Sequence, residues 1–200
     1  YANYLSDSRI VFNSLNIQSE GPSSHAIYIG ESPSNLLIEN NIFSNPAGNI
    51  PVFILDNPST VSWDYNNYYS SDYFIGYHNG ITYSDLGQWQ LVVNGEANAQ
   101  NVNPYFSEPD KPDANHILLN NTGTAIVDVD VDIDGMPRGT PPDIGAKEYN
   151  PCSPDAGVER ITAPQNPIVP GTQEVKVILQ NQGTSALTNV QIHWTVNEES

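Results

Sequence analysis

The chain has 200 residues, of which 23 are acidic and 6 basic, for a formal net charge of −17. This charge argues against a nucleic-acid partner and against docking on anionic membranes, because both need clustered Lys and Arg. Abundant Asn, Ser, Thr and Tyr suit a secreted β protein, and no apolar run is long enough to span a bilayer.

Both ends of the sequence favour a chain that belongs to a longer protein. No signal peptide is visible, and the sequence starts and stops within repeating patterns, so we expect a piece of a longer protein. The single cysteine, Cys152, cannot form an internal disulfide and is either a free thiol or paired outside this sequence.

The first 70 residues repeat with a period in the twenties. Two copies, at 8–30 and 34–56, contain apolar pairs 26 residues apart: Ile10/Leu36, Phe12/Ile38, Ile17/Phe43 and Ile27/Phe53. A third copy adds, 25 residues further on, Val61, Trp63 and Tyr68. This period predicts the stacked coils of a β-helix, whereas a leucine-rich repeat would need leucines at fixed places and an Asn/Cys ladder.

Asparagine pairs occur in two copies, as Asn40-Asn41 and Asn66-Asn67. They fall one register apart in this alignment, so a continuous ladder is not predicted. Asn tolerates the left-handed conformation, so we expect these residues at corners between strands, with sugar contact as the alternative.

The period breaks after Tyr69. Residues 73–77 predict one more strand, and Ser84 is a candidate N-cap for a short helix with Leu86 and Trp89 on one side. Residues 116–119 predict a further strand.

Four aspartates, Asp128, Asp130, Asp132 and Asp134, alternate with apolar residues. On a strand, this spacing puts all four carboxylates on one face. One interpretation is a calcium site, because Ca²⁺ prefers carboxylate ligands. The other is a solvated edge with turn hydrogen bonds and Arg138, because the spacing lacks the closing Glu of an EF-hand loop.

Tyrosines crowd one region of the chain. The candidates for stacking on sugar rings are Tyr65, Tyr69, Tyr73 and Tyr77. The alternative is that these rings fill core columns. The histidines have no metal-ligand spacing, no nucleophile has an evident base, and neither Lys111 nor Lys147 matches a lyase motif.

The segment 132–149 predicts a closing element. Asp134-Gly135 is a turn dipeptide, Pro137 cannot continue a central strand, and Arg138 can tie the turn to the last strand through neighbouring acids. The pattern D-x-D-G-x-P-R followed by P-D-I-G-A-x-E-Y resembles the C-terminal end of right-handed parallel β-helix proteins of Bacteroidetes. The residues of this structural closing motif are Asp134, Gly135, Arg138, Asp143, Gly145 and Glu148.

The resemblance covers residues 1–150 and implies a secreted or surface-anchored protein. It also implies a short helix from Thr82 to Trp89 and a strand at Asn103-Pro104-Tyr105-Phe106. Some proteins of this fold are polysaccharide lyases, and in that case the active site is expected upstream of Tyr1.

Residues 151–154 are predicted to be a linker, and residues 155–200 to begin an Ig-like β-sandwich. Alternating strands are predicted at Val158–Ile161, Glu174–Leu179 and Val190–Val196. Asp155-Ala156-Gly157-Val158, the Gln-Asn-Gln-Gly-Thr turn and His-Trp-Thr-Val resemble bacterial CARDB-type adhesion modules.

The expected fold class is therefore all-β: terminal coils of a right-handed parallel β-helix plus a partial Ig-like β-sandwich. The expected function is a non-catalytic part of a large secreted or cell-surface bacterial protein that contacts a polysaccharide or cell-surface partner. The alternatives are the C-terminal part of a polysaccharide lyase and a calcium-stabilised spacer.

Overall fold

The structure is a computed structural model that describes residues 2–19, 21, 23–31, 33–108, 110–151, 155–165, 170–181, 183 and 185–195. The described chain is mostly β and contains parallel sheets, as the all-β prediction requires. It divides into two compact units, Tyr1–Asn150 and Pro151–Ser200.

The first unit consists of stacked repeats that share three sheets. Its strands are β1 (Ser6–Val11), β2 (Ser14–Asn16), β3 (Ile27–Ile29), β4 (Ser34–Glu39), β5 (Ile42–Asn45), β6 (Val52–Ile54), β7 (Val61–Asp64), β8 (Asn67–Ser70), β9 (Gly76–His78) and β10 (Ile81–Tyr83). The sheet orders are β1-β4-β7, β2-β5-β8 and β3-β6-β9, all parallel, with β10 antiparallel beside β9. Each repeat thus supplies one strand to each sheet.

A two-residue corner separates the first and second strands of every repeat, and its first residue has the left-handed conformation. Phe12, Asn40 and Tyr65 occupy this corner, with φ of 55°, 58° and 55°. The corner prediction for Asn40 is confirmed, and Asn suits the left-handed conformation better than an aromatic residue does. A tyrosine predicted for sugar stacking, Tyr65, therefore has a backbone role.

The predicted register is confirmed between the second and third repeats, where Leu36 pairs with Val61, and Phe43 with Tyr68. Between the first and second repeats the prediction is wrong, because the offset is 28 and not 26. The observed pairs are Ser8/Leu36, Ile10/Ile38 and Leu15/Phe43. A slip of two residues keeps the same face inward, so the apolar pattern alone could not reveal it.

The third sheet shows a one-residue slip with a larger effect. Ile27 pairs with Val52, so Phe53 lies opposite Tyr28 and not opposite Ile27. Tyr28, Phe53 and Tyr77 form an aromatic stack outside the core, with ring centroids 5.2 Å and 4.4 Å apart and interplanar angles of 7° and 15°. The predicted alignment of Ile27 with Phe53 is wrong, and one step along a strand places the side chain on the opposite face.

A short helix, α1 (Leu86–Val93), covers the apolar interior at the last repeat. Its N-cap is Asp85, which accepts a hydrogen bond from the Gln88 N–H, and not Ser84 as predicted. Trp89 is completely buried and packs with Tyr68 and Tyr83. The predicted helix therefore exists, shifted slightly toward the C-terminus.

Replacing Gly76 with alanine will destabilise this packing. A β-carbon at Gly76 would lie 2.4 Å from Cη2 of Trp89, so the ring or the strand must move, which costs about 2 kcal/mol. Urea unfolding measures the loss. The matched control is Gly87→Ala in α1, where a β-carbon would lie 3.3 Å from Asp85 Oδ1. That carboxylate needs to shift only slightly and alanine favours a helix, so stability will change by less than about 1 kcal/mol. Equal losses in both variants would contradict the account.

The segment after residue 100 forms loops over the outer side of the repeats. It builds a second apolar cluster of Ile42, Ala114, Leu119 and Ile144. The strand predicted at residues 116–119 is wrong, because Ile117–Leu119 is a 3₁₀-helix capped by His116. The strand expected at Asn103–Phe106 is also wrong, because these residues form a loop.

The second unit contains an antiparallel pair, β11 (Ala156–Ala163) and β12 (Lys176–Asn181), with two register shifts. These strands overlap the first two strands predicted there. The third predicted strand is wrong over its described part, because residues 190–195 form no strand. Three linker residues (Cys152, Ser153 and Pro154) and Val196 lie outside the described residues.

Candidate functional site: a groove beside the second sheet

A groove with a cavity volume of about 290 Å³ lies on the outer side of β2, β5 and β8. Tyr68 points into the core, so its neighbour Tyr69 points outward, opposite Ser44 and Asn16 in the next two strands. The lining residues from the strands and the covering loop are Asn16, Gln18, Ser44, Pro46, Tyr69, Asn103, Pro104, Tyr105, Phe106, Ser107 and Glu108.

Asn103 holds the two groove tyrosines in place. Its Nδ2 donates to the Tyr69 hydroxyl at 3.1 Å, and its Oδ1 accepts from the Tyr105 backbone N–H at 3.0 Å. One amide therefore fixes a tyrosine from a repeat and a tyrosine from the loop. Such preorganised aromatic and polar groups are what a small-ligand site requires.

Tyr105 is supported from behind by His116. Their rings stack with centroids 5.4 Å apart and an interplanar angle of 16°. Burial lowers the pKa of His116, and its Nδ1 accepts from the Leu118 N–H at 3.1 Å, so the imidazole is neutral at physiological pH. The Tyr149 hydroxyl donates to the His116 carbonyl at 2.7 Å. The groove thus has a rigid, uncharged base.

The groove contains one carboxylate and neutral hydroxyl groups. Glu108 forms an ion pair with Lys111 at 2.8 Å. Burial and the nearby phenols of Tyr105 and Tyr73 raise the pKa of Tyr69, so its hydroxyl stays protonated. Hydroxyl and amide groups can both donate and accept hydrogen bonds, as recognition of a polyhydroxylated ligand demands.

The four tyrosines predicted for glycan contact lie at three different sites: at the groove, at a corner between strands and in the aromatic stack. Tyr69 lines the groove, and Tyr73 is 61% exposed and close enough to Tyr69 to affect its pKa. Tyr65 occupies a corner, and Tyr77 belongs to the aromatic stack. Tyr77 stacks on Phe53 and does not line the groove, so it is not placed to bind a sugar together with Tyr69.

The acidic stretch does not form the predicted strand. Residues 126–138 form turns, with one bridge between Val131 and Pro137, so the four carboxylates do not share a strand face. The Asp132 carboxylate accepts backbone N–H bonds from Asp134, Met136 and Glu148 at 2.8–2.9 Å. Burial alone would raise the pKa of Asp132, but these bonds and the charge of Arg138 hold it below its ordinary value.

The other aspartates give little support to the calcium hypothesis. Asp134 pairs with Lys147 at 2.9 Å, while Asp128 and Asp130 are exposed. Among the described residues, no group of three or more His, Cys, Asp or Glu side chains is placed to hold a metal ion.

The closing motif is organised by Arg138. Its Nη1 bonds Glu148 at 2.9 Å, its Nη2 donates to the Ala146 carbonyl at 3.1 Å, and its guanidinium lies 4.0 Å from the centre of the Phe12 ring. Both ionic side chains are largely buried, with 6% and 16% exposed. Arg138 thus connects the closing motif to Phe12, a corner residue of the first repeat.

Two acids of the motif bind backbone N–H groups. Glu148 accepts from Gly139 and Asp143 at 2.9 Å and 3.0 Å. Asp143 accepts from Asn121 and Tyr149, each at 2.6 Å. Burial raises the pKa of Asp143 in spite of these bonds.

The two motif glycines have positive φ, 81° at Gly135 and 106° at Gly145. Gly135 completes the turn after Asp134. A β-carbon at Gly145 would lie 2.7 Å from both Ile42 and Ser14, so this position needs glycine for space as well.

A buried asparagine ladder runs through the repeats and ends at an acid. Asn13 donates to Asn41 at 2.9 Å, Asn41 to Asn66 at 2.9 Å, and Asn66 to Glu96 at 2.7 Å. The Tyr68 hydroxyl also donates to Glu96. The prediction of broken register is wrong for this pair, because Asn41 and Asn66 are 25 residues apart and directly bonded.

Burial raises the pKa of Glu96 to about 7, from an ordinary value of 4.5. The folded chain binds this proton more tightly than the unfolded chain does. Protonated Glu96 therefore stabilises the fold fully below pH 4.5, and this stabilisation is lost as the pH rises through 7. We expect Glu96 to cost the wild type about 2 kcal/mol between pH 5 and pH 8, because the folded chain must release a proton it holds more tightly.

Urea unfolding at several pH values tests this, with Glu96→Gln as the neutral isostere and exposed Glu31→Gln as control. The Glu96→Gln variant will show a shallower fall in stability with rising pH, and the control will follow the wild type. Parallel curves for Glu96→Gln and wild type would show that Glu96 is not the titrating group.

No family model, no curated protein and no solved structure matches this chain. In the described part of the chain, no helix combines the length and apolarity that crossing a bilayer requires.

Sequence reasoning found Tyr69 but missed its partners in the groove. Asn103 and Tyr105 lie in the Asn-Pro-Tyr-Phe motif, which drew attention only as a strand. The repeat offset also aligns Ser44 with Tyr69 on the outward face. The sequence signal for the groove was the outward pair Ser44 and Tyr69 together with the Asn-Pro-Tyr-Phe motif that follows the repeats.

Proposed function

We propose that residues 1–150 are the terminal coils and closing element of a right-handed parallel β-helix. Support comes from three parallel sheets that each receive one strand per repeat. We further propose that residues 155–200 begin a CARDB-like Ig module, which the antiparallel β11–β12 pair supports.

The function that the groove supports best is glycan contact, within a large secreted or cell-surface bacterial protein. The observation that carries this proposal is the arrangement of Tyr69, Asn103 and Tyr105. Two aromatic rings, held by one amide and surrounded by hydroxyl and amide groups, suit a ligand with apolar ring faces and polar edges. Sugars have this character.

Affinity electrophoresis through gels with soluble glucans, mannans, galactans, xylans and polyuronates tests the proposal. At least one polysaccharide will retard the wild type. Tyr69→Ala will weaken that retardation about tenfold, because an aromatic contact is removed. The control is Tyr4→Ala, which removes a tyrosine that is 70% exposed and outside the groove.

Two results would count against glycan contact at this site. One is the absence of retardation by every polysaccharide. The other is equal retardation of Tyr69→Ala and Tyr4→Ala, with both variants folded by circular dichroism.

A further inference from the structure

The cationic side chains of the first unit are already engaged. Each of its lysines and arginines has a partner at 2.8–3.0 Å: Arg9 with the Val127 carbonyl, Lys111 with Glu108, Arg138 with Glu148, and Lys147 with both Asp113 and Asp134. An anionic ligand would compete with an acidic side chain for Lys111, Arg138 or Lys147. Arg9, which donates to a neutral carbonyl, is not among the described residues that line the groove.

The described lining of the groove offers no cation to an incoming anion. Among these lining residues, Glu108 is the one acidic side chain and none is lysine or arginine. Lys111, which neutralises Glu108, is not among the lining residues. A carboxylate that enters would lose water and would have to compete with Glu108 for Lys111, which is unfavourable.

The other polar side chains of the described lining are uncharged, and some of them bond one another, as Ser44 does when it donates to Asn16 Oδ1 at 3.3 Å. Asn16, Gln18 and Asn103 contribute amides, and Ser44 and Tyr69 contribute hydroxyls. The volume of about 290 Å³ is near the lower limit of ligand pockets, roughly 300 Å³. A short saccharide, such as a chain end or a branch, fits this space better than a long chain.

We infer that the groove accepts the uncharged end or branch of a glycan and selects against uronates. This inference rests on the proposed glycan function and specifies the class of ligand for the same site. It also separates this site from the polyuronates on which lyase chemistry acts, since that chemistry requires a cation to neutralise the carboxylate.

Isothermal titration calorimetry with matched saccharide pairs tests the inference. One pair is a cello-oligosaccharide and its C6-oxidised uronate. The other is oligogalacturonate in its methyl-esterified and free-acid forms. In any pair that binds, the neutral member will bind at least tenfold more tightly, and 0.5 M NaCl will leave its affinity unchanged, because no ion pair forms.

Three variants locate the effect. Tyr69→Ala and Asn103→Ala will reduce binding of the neutral member at least tenfold, whereas Tyr4→Ala will not. Glu108→Gln removes the groove's carboxylate and releases Lys111, so binding of the acidic member will increase in that variant.

The outcomes distinguish the two proposals. If the acidic member binds as tightly as the neutral one and Tyr69→Ala abolishes both, the charge inference is overturned and glycan binding stands. If no member of a broad set of neutral and acidic saccharides binds, both the charge inference and the proposed glycan function are overturned. Neutral binding that survives both Tyr69→Ala and Asn103→Ala overturns the assignment to this groove.

Discussion

Replacing Asn66 with leucine will lower the free energy of unfolding of the first unit by about 4 kcal/mol. Asn66 is completely buried, donates to the Ile38 carbonyl at 2.8 Å, and accepts from the Asn41 N–H at 3.0 Å. Leucine is of similar size, so the loss comes from hydrogen bonds and not from a cavity. It removes the side-chain partner of the Ile38 carbonyl and of the Asn41 N–H, and both of these groups are buried.

Urea unfolding of wild type and Asn66→Leu measures this loss. The matched control is Asn98→Leu, which removes an exposed bond of 2.9 Å to Asp64. That variant will lose less than about 1 kcal/mol, because water replaces the partner. Similar losses of unfolding free energy in Asn66→Leu and Asn98→Leu would show that the buried ladder stabilises the fold no more than an exposed hydrogen bond does.

Replacing Arg138 with methionine will cost about 3 kcal/mol. Methionine fills part of the space over Phe12, but it leaves Glu148, which is 16% exposed, without its ionic partner. The backbone bonds from Gly139 and Asp143 to Glu148 remain, which limits the penalty.

A double-mutant cycle with Glu148→Gln isolates the contribution of the pair. The double variant will be less destabilised than the sum of the two single variants, because the unpaired buried charge is gone. Arg9→Met is the control for arginine loss, since Arg9 makes one exposed bond to the Val127 carbonyl. Additive losses in the cycle would contradict direct coupling of Arg138 with Glu148.

The sequence pattern predicted the repeats well where their lengths are equal. Leu36/Val61 and Phe43/Tyr68 follow from a constant 25-residue offset. The first repeat differs because it is longer between corners, and a two-residue slip leaves the inward pattern intact. Only the observed pairing of Ile10 with Ile38 resolves that ambiguity.

The acidic stretch shows why alternation alone misleads. Asp132 and its neighbours have the spacing of a strand, yet the Asp132 side chain bonds three backbone N–H groups and fixes turns. Asp side chains compete with sheet ladders for backbone partners in this way. A periodic pattern carries no information about that competition.

The groove was hidden for a different reason. Tyr69 and Asn103 are 34 residues apart and meet because a non-repeating loop returns over the second sheet. Periodicity predicts neighbours within the repeats, and it is silent about a loop that follows them. The Asn-Pro-Tyr-Phe motif indicated that the loop mattered without indicating which side chains it contacts.

Nuclear magnetic resonance titration of the ¹⁵N-labelled chain with the saccharide that binds most tightly will locate the glycan on the surface. We expect the largest amide shifts at Ser44, Tyr69, Asn103 and Phe106, and we expect them to disappear in Tyr69→Ala. Shifts concentrated instead at Tyr28, Phe53 and Tyr77 would contradict glycan contact at this site, because they would place the glycan on the aromatic stack and not in the groove.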